Sequence, residues 1–361
     1  MANRRKKLSK RGIVLLAALA VLVMLFVLSL LLFRPGAPSG VIETDPYALD
    51  SSSSQRFAVM DGDLAVASGG GLQIFDENGS LIARRAVTLL SPALAASDAL
   101  AAAYDIGGTT LVTMDRKGES RLWEQENALI SVDVTKDGWL AVATESPGYR
   151  GMVTVYNEKH EVIYEWFSGQ DYLVNAVLSE NHLLAVLCAG SGGSRVHVFS
   201  MNSEDERGFF AAPELLLDLF WTDDDHLAAL SGERLVLLDD RAVQDTEYAF
   251  GGLHLYDYST GGDGLTALAL SSYRTGGACT LVTIGASGKV LAERTVDEVT
   301  GIDAHGKQIL IRSGRVLTLF NQQLEDMRAL EIDPLGVRQA LLLKNGKALL
   351  IYDYSCSAMD I

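Results

Sequence analysis

The chain has 361 residues, of which 48% are apolar and 21% charged, a balance that excludes a disordered polymer and suffices for a large core. Its net charge is −16, but the first 34 residues hold seven of the 30 basic residues and no acidic one, so residues 35–361 carry −23. Such a surface repels nucleic acid, which is excluded as a partner, and anionic lipid.

In chain order, the first segment is a basic tail, residues 1–12, with Arg4, Arg5, Lys6, Lys7, Lys10 and Arg11. It precedes a run from Ile13 to Phe33 whose only polar residue is Ser29. At about 1.5 Å per residue this run spans roughly 30 Å as a helix, the thickness of a bilayer's hydrocarbon core. Residues 13–33 are therefore expected to be a single transmembrane anchor. The run is longer than the apolar region of a cleaved secretory signal, and "LLFRPGAPSG" offers no A-x-A cleavage pattern. Six basic residues stand before it and only Arg34 borders its far end, so the positive-inside rule keeps the N-terminus cytoplasmic and exports the rest. The expected localisation is the cell membrane, single-pass, with the bulk of the chain extracytoplasmic. Residues 34–55, with three of the seven prolines and a four-serine run, read as a flexible linker.

From residue 56 to residue 361 one unit returns. Apolar runs begin at Leu64, Leu100, Leu140, Leu184, Leu227, Leu265, Ile309 and Leu349, a period near 40 that marks a repeat architecture. A turn precedes each run: Asp61-Gly62, Ser97-Asp98, Asp137-Gly138, Glu180-Asn181, Asp224-Asp225, Asp263-Gly264, His305-Gly306 and Asn345-Gly346. Gly, Asn and Asp tolerate the positive φ that short hairpins need. In "ISVDVTKDGWLAVAT", Ile130, Val132 and Val134 alternate with polar residues, as in a strand exposed on one side. Leu140 to Ala143 is apolar on both faces, as in a strand between two sheets, and recurrent alanines such as Ala65, Ala101, Ala185 and Ala228 permit close packing. A third and a more amphipathic fourth strand follow in most units. Four antiparallel strands per 40 residues predict an all-β fold, a β-propeller of eight or alternatively seven blades. The last unit is expected to end after two strands, with "GVIET" (Gly40 to Thr44) from the linker completing its blade.

At "VTMDRKGESRLWE" and "VTVYNEKHEVIYEW" an apolar strand, Asp or Asn, a polar turn and a strand ending in Trp123 or Trp166 resemble repeats of quinoprotein-like and WD-type propellers. A basic N-terminus, one anchor and a propeller of weak repeats together resemble a bacterial membrane-anchored propeller family of unknown function. The resemblance spans the chain and implies a fold without an activity.

Chemistry-bearing motifs are scarce. "GIDAHGKQ" (Gly301 to Gln308) misses the phosphate-binding loop at Gln308, where a hydroxyl is needed, and no helix follows. "TDDDH", with Asp223, Asp224, Asp225 and His226, lacks the spacing and the glycine of a calcium loop and reads as a turn. The six histidines form no zinc pattern, and Cys188, Cys279 and Cys356 are an odd, sparse set rather than a disulfide framework. A quinone-dependent enzyme would need an aromatic floor and a convergent calcium set, and neither is legible. No metal and no cofactor are expected, and no catalytic role. The expected function is a non-enzymatic protein-binding or scaffolding module of the cell envelope, the alternative an extracytoplasmic sensor for a small ligand or glycan. Two connections between second and third strands, "ESPGYRG" (Glu145 to Gly151) and "SSYRTGG" (Ser271 to Gly277), are longer than the others and both carry Tyr-Arg. Tyr149, Arg150, Tyr273 and Arg274 are thus the candidate binding residues for a protein partner, because Tyr and Arg concentrate binding energy at interfaces.

Overall fold

The structure, a computed structural model, describes residues 47–49, 54–203, 205–333 and 336–361. The tail expected at 1–12, the anchor at 13–33, the "GVIET" segment and most of the linker lie outside the described residues. Among the described residues no helix is long and apolar enough to cross a membrane.

Residues 56–361, joined by Tyr47–Ala48, form eight four-stranded antiparallel sheets, the first seven each following chain order. These are blade 1 (56–86), blade 2 (92–124), blade 3 (129–167), blade 4 (172–212), blade 5 (216–249), blade 6 (254–296), blade 7 (301–331) and blade 8 (339–360 with 47–48). In each blade the strands are lettered a to d from the axis outward. Blade 3 shows why the sequence folds so: its strands are Leu129–Val134, Leu140–Thr144, Met152–Tyr156 and Val162–Phe167. Gly138 takes φ +89° in the a–b turn, which a residue with a Cβ resists. Strand b is buried along its whole length, whereas strand d alternates between exposed and half-buried. The alanines of the b strands, Ala141 and Ala143 among them, have no accessible surface because a neighbouring sheet covers each face.

The apolar core is divided into eight clusters, each between consecutive blades. One joins Leu64, Val66 and Phe75 of blade 1 to Leu341, Leu349 and Cys356 of blade 8, so the ring closes. The ring therefore has eight blades, and the seven-blade alternative falls. Closure leaves no sheet face without a partner blade.

Blade 8 corrects one expectation. The C-terminus supplies three strands, not two: Gln339–Leu342, Lys347–Ile351 and Ser355–Asp360. The outermost strand is Tyr47–Ala48, drawn from the segment expected to be linker, with Tyr47 opposite Cys356 and Ala48 opposite Ser355. Leu49 adds a hydrogen bond from its N–H to the Tyr354 carbonyl at 3.1 Å. Cys188, Cys279 and Cys356 are buried in three different blades, and all are free thiols.

Antiparallel alternation puts the a–b and c–d turns on one face of the ring and the b–c turns with the blade-to-blade links on the other.

Candidate functional site

The b–c face carries the Tyr-Arg turns. In blade 3, Gly151 holds φ +144°, and an added Cβ would stand 2.4 Å from that of Leu173, so the turn lies flat against blade 4. Two backbone bonds pin it, Arg150 N–H to the Ser168 carbonyl at 2.7 Å and Leu173 N–H to the Arg150 carbonyl at 3.1 Å. The Arg150 guanidinium lies 4.7 Å over the Tyr172 ring and donates to its hydroxyl at 2.8 Å. The Tyr149 ring sits 4.9 Å from that of Phe167 on its own blade, yet Tyr149 remains 52% exposed and Tyr172 60% exposed. Tyr149, Phe167 and Tyr172 thus form an aromatic ridge over the blade 3–blade 4 seam, with Arg150 held on it by a cation–π contact.

Tyr273 and Arg274 occupy the corresponding turn of blade 6. Ser271 organises that turn, its Oγ accepting the Tyr273 N–H at 3.2 Å, and Tyr273 is 70% exposed. The two Tyr-Arg turns share a face but stand three blades apart, so they make two patches and not one. Sequence reasoning missed Phe167 and Tyr172, which lie at a strand end and a strand start and become neighbours only through blade packing.

On the opposite face a central funnel of ≈ 650 Å³ opens, with Asp98, Glu180, Asp224 and Asp263 at its rim and Asp133 and Asp303 in its wall. Asp61, also at the rim, is neutralised by Lys344 of blade 8 and by Arg116 of blade 2, the latter at 2.8 Å. The wall solves a backbone problem. Each a strand pairs with strand b on one edge, and its other edge faces the axis with unpaired N–H groups. Side chains from the preceding blade meet them: Asp133 accepts Leu178 N–H at 2.8 Å, Asp257 accepts Ile302 N–H at 3.3 Å and Ser259 accepts Ala304 N–H at 2.9 Å. Burial outweighs these bonds in the carboxyls' titration. It pushes Asp133 and Asp303 up to about 6 and raises Asp257 as well. Tyr258 donates to Asp218, and burial together with that carboxylate raises its phenol. The signal for these positions was present in "SVDV", "YDYS" and "GIDA", as polar residues inside strands otherwise apolar.

The Asp223 carboxylate accepts the N–H groups of Asp225 at 2.9 Å and His226 at 2.7 Å, so "TDDDH" is a hydrogen-bonded turn. "GIDAHGKQ" runs from strand Gly301–His305 through a turn into strand Gln308–Ser313, as expected for a hairpin.

Solved structures with this fold include Kluyveromyces lactis Hsv2, 11% identical over 80% of this chain and 100% of that one, with a TM-score of 0.52. The Dos1 propeller is also 11% identical, over 88% of this chain and 95% of that one, with a TM-score of 0.56. At such identities the likeness concerns the fold alone. No curated protein matches the sequence. The model of the family described as "Family of unknown function (DUF5711)" matches residues 41–328, which takes in the closing strand, six blades and most of the seventh, and the chain belongs to that family.

Proposed function

We propose that this chain is a membrane-held, extracytoplasmic protein-binding or scaffolding module of the cell envelope, without a catalytic role. The aromatic ridge of Tyr149, Phe167 and Tyr172 carries this reading. Exposed rings are costly to leave in water, and clustered rings beside an arginine form the kind of surface where partner binding concentrates. The ridge is also preorganised, since Gly151 and the backbone bonds of Arg150 fix its turn, so little entropy is lost on docking. The basic flank of residues 4–11 supports the topology, with the ring outside the cytoplasm.

The test is site-specific photocrosslinking in living cells, with the crosslinker at position 149 or 172 and, as control, at Asp245 on the outer strand of blade 5. One discrete envelope protein captured from 149 and 172 but not from 245 supports the reading. Identical adduct patterns from all three positions would refute it. A C-terminal fusion to a phosphatase active only after export tests the topology independently, and an inactive fusion places the ring in the cytoplasm.

A further inference from the structure

The two faces of the ring differ in what they expose. On the b–c face large apolar side chains stand in solvent all the way round. Leu90 lies in the link between blades 1 and 2 and Leu215 in the link between blades 4 and 5. Tyr273 and Tyr354 occupy the b–c turns of blades 6 and 8, and Val316 begins strand c of blade 7. With the ridge on blades 3 and 4, exposed apolar groups thus follow the circumference. Leu90 is 84% exposed and Leu215 62%, so neither is a core residue that grazes the surface. On the opposite face, among the described residues, Val243 is the only large apolar side chain exposed in an a–b or c–d turn, and carboxylates occupy the funnel rim.

Two blades build this exposure into their inner strands. In strand a of blade 4, Leu173 and Asn175 face the consecutive residues Cys188 and Leu187, which leaves Val174 as an extra residue in a bulge. Blade 5 repeats the device, with Leu216 and Asp218 opposite Ser231 and Leu230 and Leu217 between them. Both extra side chains are apolar and exposed. The face is also low, since four of its b–c turns, 69–70, 191–192, 232–233 and 314–315, have two residues each. Three of its arginines are neutralised in place, Arg195 by Asp171, Arg234 by Glu214 at 2.7 Å and Arg338 by Asp353 at 2.5 Å.

We infer that the b–c face rests on a lipid surface of no net charge, which leaves the funnel open on the far side. A protein partner concentrates its binding energy in a central patch, whereas these side chains follow a circumference. A flat, fluid surface meets all of them at once. Tyrosines and aliphatic side chains settle at the headgroup boundary, where burial of apolar area sets the binding strength. Anionic lipid is disfavoured by the net charge of −23 on residues 35–361. The point where the chain enters the ring agrees with this contact. Ala48 lies opposite Ser355, the first residue of strand c in blade 8, and Leu49 bonds the carbonyl of Tyr354 in the b–c turn, so the chain joins blade 8 at its b–c end. Residues 34–46, between the apolar run that ends at Phe33 and the first described strand, span at most about 45 Å when extended. The contact rests on the membrane-held reading above and goes beyond it by assigning the face that meets the bilayer. A partner docked on the ridge then sits at the membrane surface.

The test uses the full-length protein reconstituted in phosphatidylcholine vesicles, with a bimane fluorophore on one introduced cysteine: Leu215→Cys, Tyr354→Cys or, on the opposite rim, Asp224→Cys. Cys188, Cys279 and Cys356 are buried and stay unlabelled. Phosphatidylcholine carrying a nitroxide near its headgroup is expected to quench the label at 215 and 354 at least about twofold, and the label at 224 by less than about a tenth. Leu90→Glu with Tyr273→Glu is expected to relieve at least about half of the quenching at 354, with flotation and melting curve unchanged because both residues are exposed. Equal quenching at all three positions, or none in protein that floats with the vesicles, overturns the contact while leaving the anchor intact. Labels at 215 and 354 that are shielded from aqueous iodide yet unquenched by the lipid also overturn it, since a second copy of the chain would then cover the face. Protein that fails to float with the vesicles refutes the membrane-held reading and the contact with it.

Discussion

Asp303 of blade 7 accepts the N–H of Leu342 in blade 8 at 2.6 Å and, on its other oxygen, the hydroxyl of Ser259 in blade 6 at 3.2 Å, so one carboxyl ties three blades together. With Asp133 it forms a pair of wall carboxyls whose pKa is pushed up to about 6 by burial. The folded state therefore holds these protons more tightly than the unfolded chain, whose carboxyls titrate near 4. Relative stability rises as pH falls from about 6.5 to 4 and is flat above that window. Wild type minus Asp133→Asn, compared by urea unfolding, is expected to shift in favour of wild type by on the order of 2 kcal/mol between pH 8 and pH 4.5. A pH-independent difference would show that the channel wall solvates its carboxyls fully.

Ala143 has no accessible surface and lies in the cluster between blades 3 and 4. Ala143→Asp buries an unpaired charge and is expected to lower stability by about 3–5 kcal/mol. Lys136→Ala, in the exposed turn just before the same strand, is expected to stay within about 0.5 kcal/mol of wild type. Chemical denaturation compares the two, and equal losses would contradict the strand register.

Closure of the ring passes through the Leu49 N–H, which bonds the Tyr354 carbonyl. Leu49→Pro removes that donor beside the two-residue strand and is expected to lower Tm by about 3–8 °C in differential scanning calorimetry. An unshifted transition would mean that Tyr47–Ala48 contributes nothing to holding blade 8.

The aromatic ridge predicts a separation of binding from stability. Tyr149→Ala with Tyr172→Ala is expected to abolish capture of the crosslinked partner, while Tm stays within about 2 °C of wild type, as for most exposed positions. Tyr273→Ala, on the second patch, tests whether the partner spans both turns. Full capture by that variant confines docking to blades 3 and 4, and a large fall in Tm in the double variant would assign the ridge to the core.

The sequence by itself determined the repeat, because each unit is written in local terms. Asp137-Gly138 makes a hairpin whatever surrounds it, Leu140 to Ala143 is apolar on both faces, and the spacing near 40 residues repeats that pattern along the chain. It also singled out Tyr149 and Tyr273, since turn length and residue type are local. The tertiary structure alone decided the closure. Ser355–Asp360 has too little apolar character to read as a strand, and Tyr47 finds Cys356 only because the ring brings residues some 300 positions apart edge to edge. The same holds for the contacts that give the surface its chemistry. Arg150 meets Tyr172, and His160 meets Trp123, across seams between blades, and no periodicity within one strand encodes which side chains face each other over such a seam.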